Sequence, residues 1–250
     1  MNKIKGIVLC GGKGTRLRPL TYYVQKTMVP IGVKQKPLLE YVVRLFKFHG
    51  IKNLVFLVNY KSEQILNYFE DGSRFGVEIS YIEDTPNSKG TGGAVLTAYE
   101  NKAVTDEDTL VVYYGDILTN IDLTELVKFH TTKKAWSTVA LSLGFKVRVG
   151  LANLDSDSKV IGFEEKPTLN KPVSVGISVL KGNMLSMMKK LKGNKSELDF
   201  MGEVLPYLLK EGKPVYGYLS KAFWYDVLST EALEKLDPQV VENTFKKIFK

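Results

Sequence analysis

Five segments with strand character are spaced along the first part of the chain by helical patterns: Ile4–Cys10, Leu54–Val58, Glu78–Ile82, Leu110–Tyr114 and Thr138–Leu143. Four of them are continuous apolar runs. That pattern belongs to strands covered on both faces, because a half-exposed strand would alternate. Between them, Leu38–His49, Glu63–Phe69, Gly93–Asn101 and Leu123–Thr131 carry helical spacing. His49-Gly50 reads as a helix end, with a glycine cap and a base near the negative end of the dipole. Strand–helix alternation with right-handed crossovers predicts an α/β fold: a Rossmann-like, doubly wound, mixed and mainly parallel sheet with helices on both faces.

The pattern changes after about residue 145. Strand-like segments follow one another at Leu151–Leu154, Val160–Glu164, Val173–Val179 and Val215–Leu219, with helices expected at Met184–Lys192 and Glu203–Lys210. These strands are expected to extend the sheet. No Pro/Gly/Ser linker and no internal repeat divides the chain. A single domain over residues 1–250 is therefore expected, with lobes of about 1–145 and 146–250.

The first apolar run passes directly into Gly11-Gly12-Lys13-Gly14-Thr15-Arg16-Leu17-Arg18-Pro19-Leu20. Gly11, Gly12 and Gly14 lack a Cβ that would block a ligand, so the backbone N–H groups can converge on one point. Arg16 and Arg18 add positive charge, and the arrangement suits a di- or triphosphate. It is not a P-loop, since no GxxxxGK[ST] occurs. It is not the dinucleotide fingerprint either, because Leu17 stands where a third glycine is needed. Asp116 closes the run Leu110–Gly115, which places a carboxylate just past the end of a central strand, where open α/β sheets bind ligands.

Composition narrows the class. With 44% apolar and 25% charged residues the chain reads as an ordinary globular protein, and no stretch reaches the ~20 apolar residues of a membrane span. The start lacks a small-residue cleavage site and reads as a strand, so a cytoplasmic location is the default expectation. The single Cys10 excludes an internal disulfide and a multi-cysteine zinc site. Net charge is +8, but the lysines are scattered. They read as a solvated surface with a general pull on polyanionic small molecules, and nucleic-acid and membrane partners are not expected.

The ordered blocks GGKGTRLRPLT, Lys26-Thr27-Met28-Val29-Pro30-Ile31 and Lys36-Pro37-Leu38-Leu39-Glu40-Tyr41 closely resemble the sugar-1-phosphate nucleotidyltransferases. Such enzymes join an NTP to a sugar 1-phosphate and release pyrophosphate. The resemblance implies that Leu9, Gly11, Gly12, Gly14, Thr15 and Arg16 bind the nucleotide. It makes Lys26 a ligand of the reacting phosphates and makes Asp116 and Asp226 the ligands of Mg²⁺. Glu165 and Lys166, in the block Glu164-Glu165-Lys166-Pro167, would hold the sugar and its phosphate, with Gly150 and Gly176 beside them. Gly90, Thr91 and Gly92, in Lys89–Ala94, would read the base. Their form is similar to guanylyl-transferring branches, so GTP is the favoured donor, with UTP or dTTP as the alternative.

Three departures from the family pattern stand out. Gln25 replaces the proline before the lysine, which suggests a less rigid loop. Asp226-Val227-Leu228 lacks the glycine of the family's D-x-G-T. Val149 replaces an aromatic residue before Gly150. No hexapeptide repeat announces the C-terminal β-helix common in the family. A cytidylyltransferase of the same fold should lack the EEKP and WYD blocks, and a non-catalytic regulatory relative should have lost Arg16, Lys26 or Asp116. Oligomeric state is not encoded legibly. A homodimer is the default, because dimers are the commonest closed assemblies.

Overall fold

The computed structural model describes residues 3–83, 85, 89–147 and 149–249. Its strands are β1 (Ile4–Leu9), β2 (Pro30–Ile31), β3 (Lys36–Pro37), β4 (Asn53–Val58), β5 (Glu78–Glu83), β6 (Thr109–Tyr114) and β7 (Ile117–Thr119). The second half adds β8 (Ser137–Ser142), β9 (Leu151–Leu154), β10 (Val160–Glu164), β11 (Val173–Lys181), β12 (Val215–Leu219) and β13 (Trp224–Asp226). The helices are α1 (Leu38–Phe48), α2 (Ser62–Phe69), α3 (Gly90–Glu100), α4 (Leu123–Thr132), α5 (Leu185–Lys192), α6 (Leu205–Lys210), α7 (Thr230–Glu234) and α8 (Pro238–Phe245).

Seven strands form the central sheet in the order β12-β8-β11-β6-β1-β4-β5. Neighbours are parallel except around β11, which runs antiparallel to both β6 and β8. The sheet is thus mixed and mainly parallel, as the strand–helix alternation predicts. The unbroken apolar runs have their expected cause. In β1, Val8 packs into one core layer and Ile7 into the other; in β4, Phe56 and Leu57 divide the same way, and in β6, Tyr113 and Val112. The first layer is closed by Phe46 of α1, Leu126 of α4 and Phe245 of α8. Val95 of α3, Met188 of α5 and Leu208 of α6 close the second. Gly50, at φ 73°, follows the end of α1 as expected.

Several elements differ from their expectation. β9 and β10 do not extend the sheet; they pair with each other as a separate antiparallel hairpin. α3 starts at Gly90, three residues earlier than its apolar periodicity shows, because glycines carry no periodic signal. The segment before α6 is a π-helix, Phe200–Val204, whose N-terminus is capped by Asp199 accepting from the Gly202 amide at 2.6 Å. β7 and β13, three residues each, form a small antiparallel ladder that the sequence does not announce.

Candidate active site

The glycine loop leaves the carboxyl end of β1 and is held on two sides. The Tyr60 amide donates to the Gly11 carbonyl at 3.2 Å. The Thr21 hydroxyl donates to the Gly14 carbonyl at 2.8 Å. Gly14 is left-handed, at φ 59°, and a Cβ there would lie 3.0 Å from Cβ of Lys26. The loop can therefore lie directly on the lysine only because residue 14 is glycine. Gly11, Gly12, Gly14, Leu9, Lys26, Gly90, Thr91, Tyr114 and Asp116 line one cavity of about 320 Å³. Burial pushes the Tyr114 phenol up from its usual range, so it faces the cavity as a neutral group.

Asp116 is fixed by its neighbours. The Gly115 amide donates to the Leu9 carbonyl at 2.9 Å, and the buried Tyr113 hydroxyl donates to the Ile117 carbonyl at 3.0 Å. Across the β7–β13 ladder Asp226 is the partner of Ile117, and the Val227 amide donates to the Asp116 carbonyl at 3.3 Å. The ladder therefore sets the backbones of Asp116 and Asp226 side by side, although they are far apart in sequence; Asp116 lines the first cavity and Asp226 the second. The Lys26 ammonium forms an ion pair with the Asp116 carboxylate, both side chains being largely buried.

A second cavity, of about 820 Å³, adjoins Asp226. Arg16, Ser142, Lys146, Ser174 and Tyr225 also line it, together with Phe145 and Trp224, whose rings stack at 6.3 Å with an 11° interplanar angle. Arg16 lines this second cavity and not the glycine-lined one; Thr15 lines neither. Lys146, Phe145 and Trp224 went unassigned in the sequence, where single lysines and aromatics carry no spacing signal.

Glu165 and Lys166 line neither cavity. They are exposed at the base of the β9–β10 hairpin and form an ion pair with each other at 3.5 Å. The chain on either side forms a ribbon: Val147 donates to the Pro167 carbonyl and Leu169 to the Phe145 carbonyl, each at 2.8 Å. That ribbon carries Phe145 and Lys146 into the second cavity. A Cβ on Gly150 would stand 2.3 Å from Phe163 and 2.8 Å from the Glu165 carboxylate, so the glycine lets both fold over the backbone. Gly176 sits where the pairing of β11 with β8 shifts register. A Cβ there would be 3.0 Å from Ile117 and 3.4 Å from Tyr114, which lets β11 run close behind the carboxylate loop.

The stretch expected to read a base packs against the 198–200 segment. Gly90, at φ 80°, and Gly92 make room for the backbone of Leu198, whose carbonyl would lie 2.5 Å and 3.1 Å from their Cβ atoms. The Thr91 hydroxyl donates to Asp199 at 3.0 Å and accepts from the Phe200 amide at 2.9 Å. Gly90 and Thr91 still line the first cavity, whereas Gly92 does not. The small residues thus make room for the 198–200 segment, and Gly90 and Thr91 keep their place on the cavity wall.

The mixed, mainly parallel sheet and the cavities at the carboxyl ends of its strands define an α/β protein with a ligand-sized site at the sheet edge. The sequence profile of the nucleotidyl transferase family matches residues 5–243, and the chain belongs to that family. It is 32% identical over 239 residues to a UTP–glucose-1-phosphate uridylyltransferase of Synechocystis sp., covering 90% of this chain and 60% of that protein. It is 31% identical over 235 residues to a mannose-1-phosphate guanylyltransferase of Mycobacterium tuberculosis, covering 92% of this chain and 62% of that one. The chain thus spans about three fifths of the length of these curated relatives. Two solved structures share the fold. A Bacillus anthracis protein in complex with sucrose superposes with a TM-score of 0.76 at 23% identity, over 97% of this chain and 99% of that one. HddC from Yersinia pseudotuberculosis gives 0.68 at 20% identity, over 94% and 99%.

Proposed function

We propose that the chain transfers a nucleotidyl group from an NTP to a sugar 1-phosphate, giving an NDP-sugar and pyrophosphate. The carrying observation is the convergence of the glycine loop, the Lys26–Asp116 pair and Asp226 at the carboxyl edge of the sheet. The NTP lies in the first cavity, its phosphates on the N–H groups of Gly11, Gly12 and Gly14. The sugar phosphate enters from the second cavity, past Arg16 and Lys146. Its phosphate oxygen attacks the α-phosphorus in line with the departing pyrophosphate, so the barrier is mainly charge repulsion and alignment. Lys26 neutralises charge at the reacting phosphates and Arg16 does so on the sugar side; from the ribbon, Lys166 binds the sugar's phosphate and Glu165 accepts hydrogen bonds from sugar hydroxyls. The stacked Phe145–Trp224 pair offers the sugar ring an apolar wall.

Asp116 and Asp226 form a donor set that fits Mg²⁺. A small hard ion takes one or two carboxylates and fills its remaining positions with phosphate oxygens and water. Bound there, the ion would stabilise negative charge on the α-phosphate.

Relatives of this chain are named for UTP, GTP and ATP donors. GTP is the donor we favour, on the form of Lys89–Ala94 and the guanylyltransferase relative. The test is pyrophosphate release with Mg²⁺, each NTP being offered with a panel of sugar 1-phosphates. Release with GTP and one sugar phosphate is expected. Preference for another NTP overturns the donor assignment, and no release with any pair, from folded protein, overturns the activity.

A further inference from the structure

Gln25 is fully buried, and every polar atom of its side chain is engaged. Its amide Nε2 donates to the Cys10 carbonyl at 2.5 Å, the point where β1 gives way to the glycine loop. Its Oε1 accepts from the Thr27 amide at 2.5 Å and from the Thr27 hydroxyl at 2.7 Å. The Gln25 backbone N–H donates to Oε1 of Gln64 at 2.7 Å, and Nε2 of Gln64 donates to the Tyr23 carbonyl at 2.7 Å. Lys26 lies between the two residues so tied. On one side it rests against Gly14; on the other, Thr27 packs on Gly115, the neighbour of Asp116.

We propose that Gln25 is a positioning residue, whose carboxamide ties the glycine loop to the turn carrying Lys26 and so sets that ammonium against Asp116. The inference rests on the activity proposed above. Its physical ground is that a buried amide left unpaired costs more than a paired one gains, so this junction has one low-energy arrangement. The backbone supplies a second argument. Gln25 has φ −61°, the value a proline ring would impose. Where the family pattern has proline, this chain holds the same backbone angle with hydrogen bonds.

The test compares Gln25→Met, which keeps the volume and removes the amide, with Gln25→Pro, which restores the ring. Lys26 reactivity is followed by acetic anhydride labelling and peptide mass spectrometry. Lys5 serves as control, since its side chain is 14% exposed against 12% for Lys26 and is paired with Asp108 at 3.0 Å. In Gln25→Met, labelling of Lys26 is expected to rise at least about threefold with Lys5 unchanged, and kcat to fall about tenfold or more with KM nearly constant. Gln25→Pro keeps the backbone angle but lacks both the carboxamide and the N–H that donates to Gln64, so it should show the same two changes; recovery of either readout would assign the positioning to the backbone angle and overturn the proposal. In a Lys26→Ala background, Gln25→Met should cost less than about twofold, because the residue through which it acts is gone. Unchanged Lys26 labelling, a parallel rise at Lys5, or an equal loss of kcat in both backgrounds overturns the proposal. If wild-type protein releases no pyrophosphate, the activity proposal fails, while the labelling comparison still decides the role of Gln25.

Discussion

At the scale of single residues, the site is a set of charges held by uncharged neighbours. Asp116 gains its place from the Tyr113 hydroxyl, the Gly115 amide and the Val227 amide, none of which touches its carboxylate. Replacing that carboxylate by a carboxamide preserves shape and removes the charge. Asp116→Asn is accordingly expected to lower turnover at least ~100-fold, the scale of a lost electrostatic stabiliser. Steady-state pyrophosphate release checks this, and near-full turnover in the variant would remove Asp116 from the machinery. Asp116 was legible from sequence because a strand end followed by an acid is a local signal. The contact of Gly90 and Gly92 with the Leu198 backbone was not, because a glycine in sequence does not show which backbone it makes room for.

Among the elements, legibility followed length and burial. β1, β4 and β6 were readable because both faces of each are buried, which writes an unbroken apolar run. β7 and β13 were not, since three residues are too few to show a period of two. Their pairing is nevertheless what sets the backbones of Asp116 and Asp226 side by side. β9 and β10 were correctly bounded but wrongly placed, because the sequence shows strand character without naming the partner strand. All four residues of β9 are exposed, as are Val160, Ile161 and Phe163 of β10. Isolated two-stranded hairpins are marginal in water. Amides of β9 and β10 are therefore expected to exchange with deuterium at least about 100-fold faster than those of β1 and β6. Mass-spectrometric exchange on the free protein measures the ratio, and equal protection would mean that the hairpin is covered in solution.

For the molecule as a whole, acid stability is expected to depend on a histidine outside the site. His130 is 4% exposed, and its Nδ1 is hydrogen-bonded to the Thr138 hydroxyl at 2.9 Å. Burial, with Lys181 adding to it, holds its pKa down at about 4, against an ordinary 6.5. As the pH falls from about 6.5 to 4, the unfolded chain takes up this proton first, so folded stability declines through that window. Burial also lowers the pKa of His49, opposed by Asp122, and this contributes in the same direction. The slope of Tm between pH 6.5 and 4 should be shallower in His130→Gln than in wild type. Identical slopes would show that His130 does not titrate as its burial requires.

The sheet order also has a consequence for how the chain is made. β11 lies between β6 and β8 and pairs with both. Until residues 173–181 leave the ribosome, the inner edge of β6 faces the cell with its ladder groups unpaired. An open, apolar strand edge is a template for association with other chains. A nascent or truncated chain ending near residue 145 would thus carry the whole glycine loop and Asp116, yet remain an adhesive fragment without its closing strand.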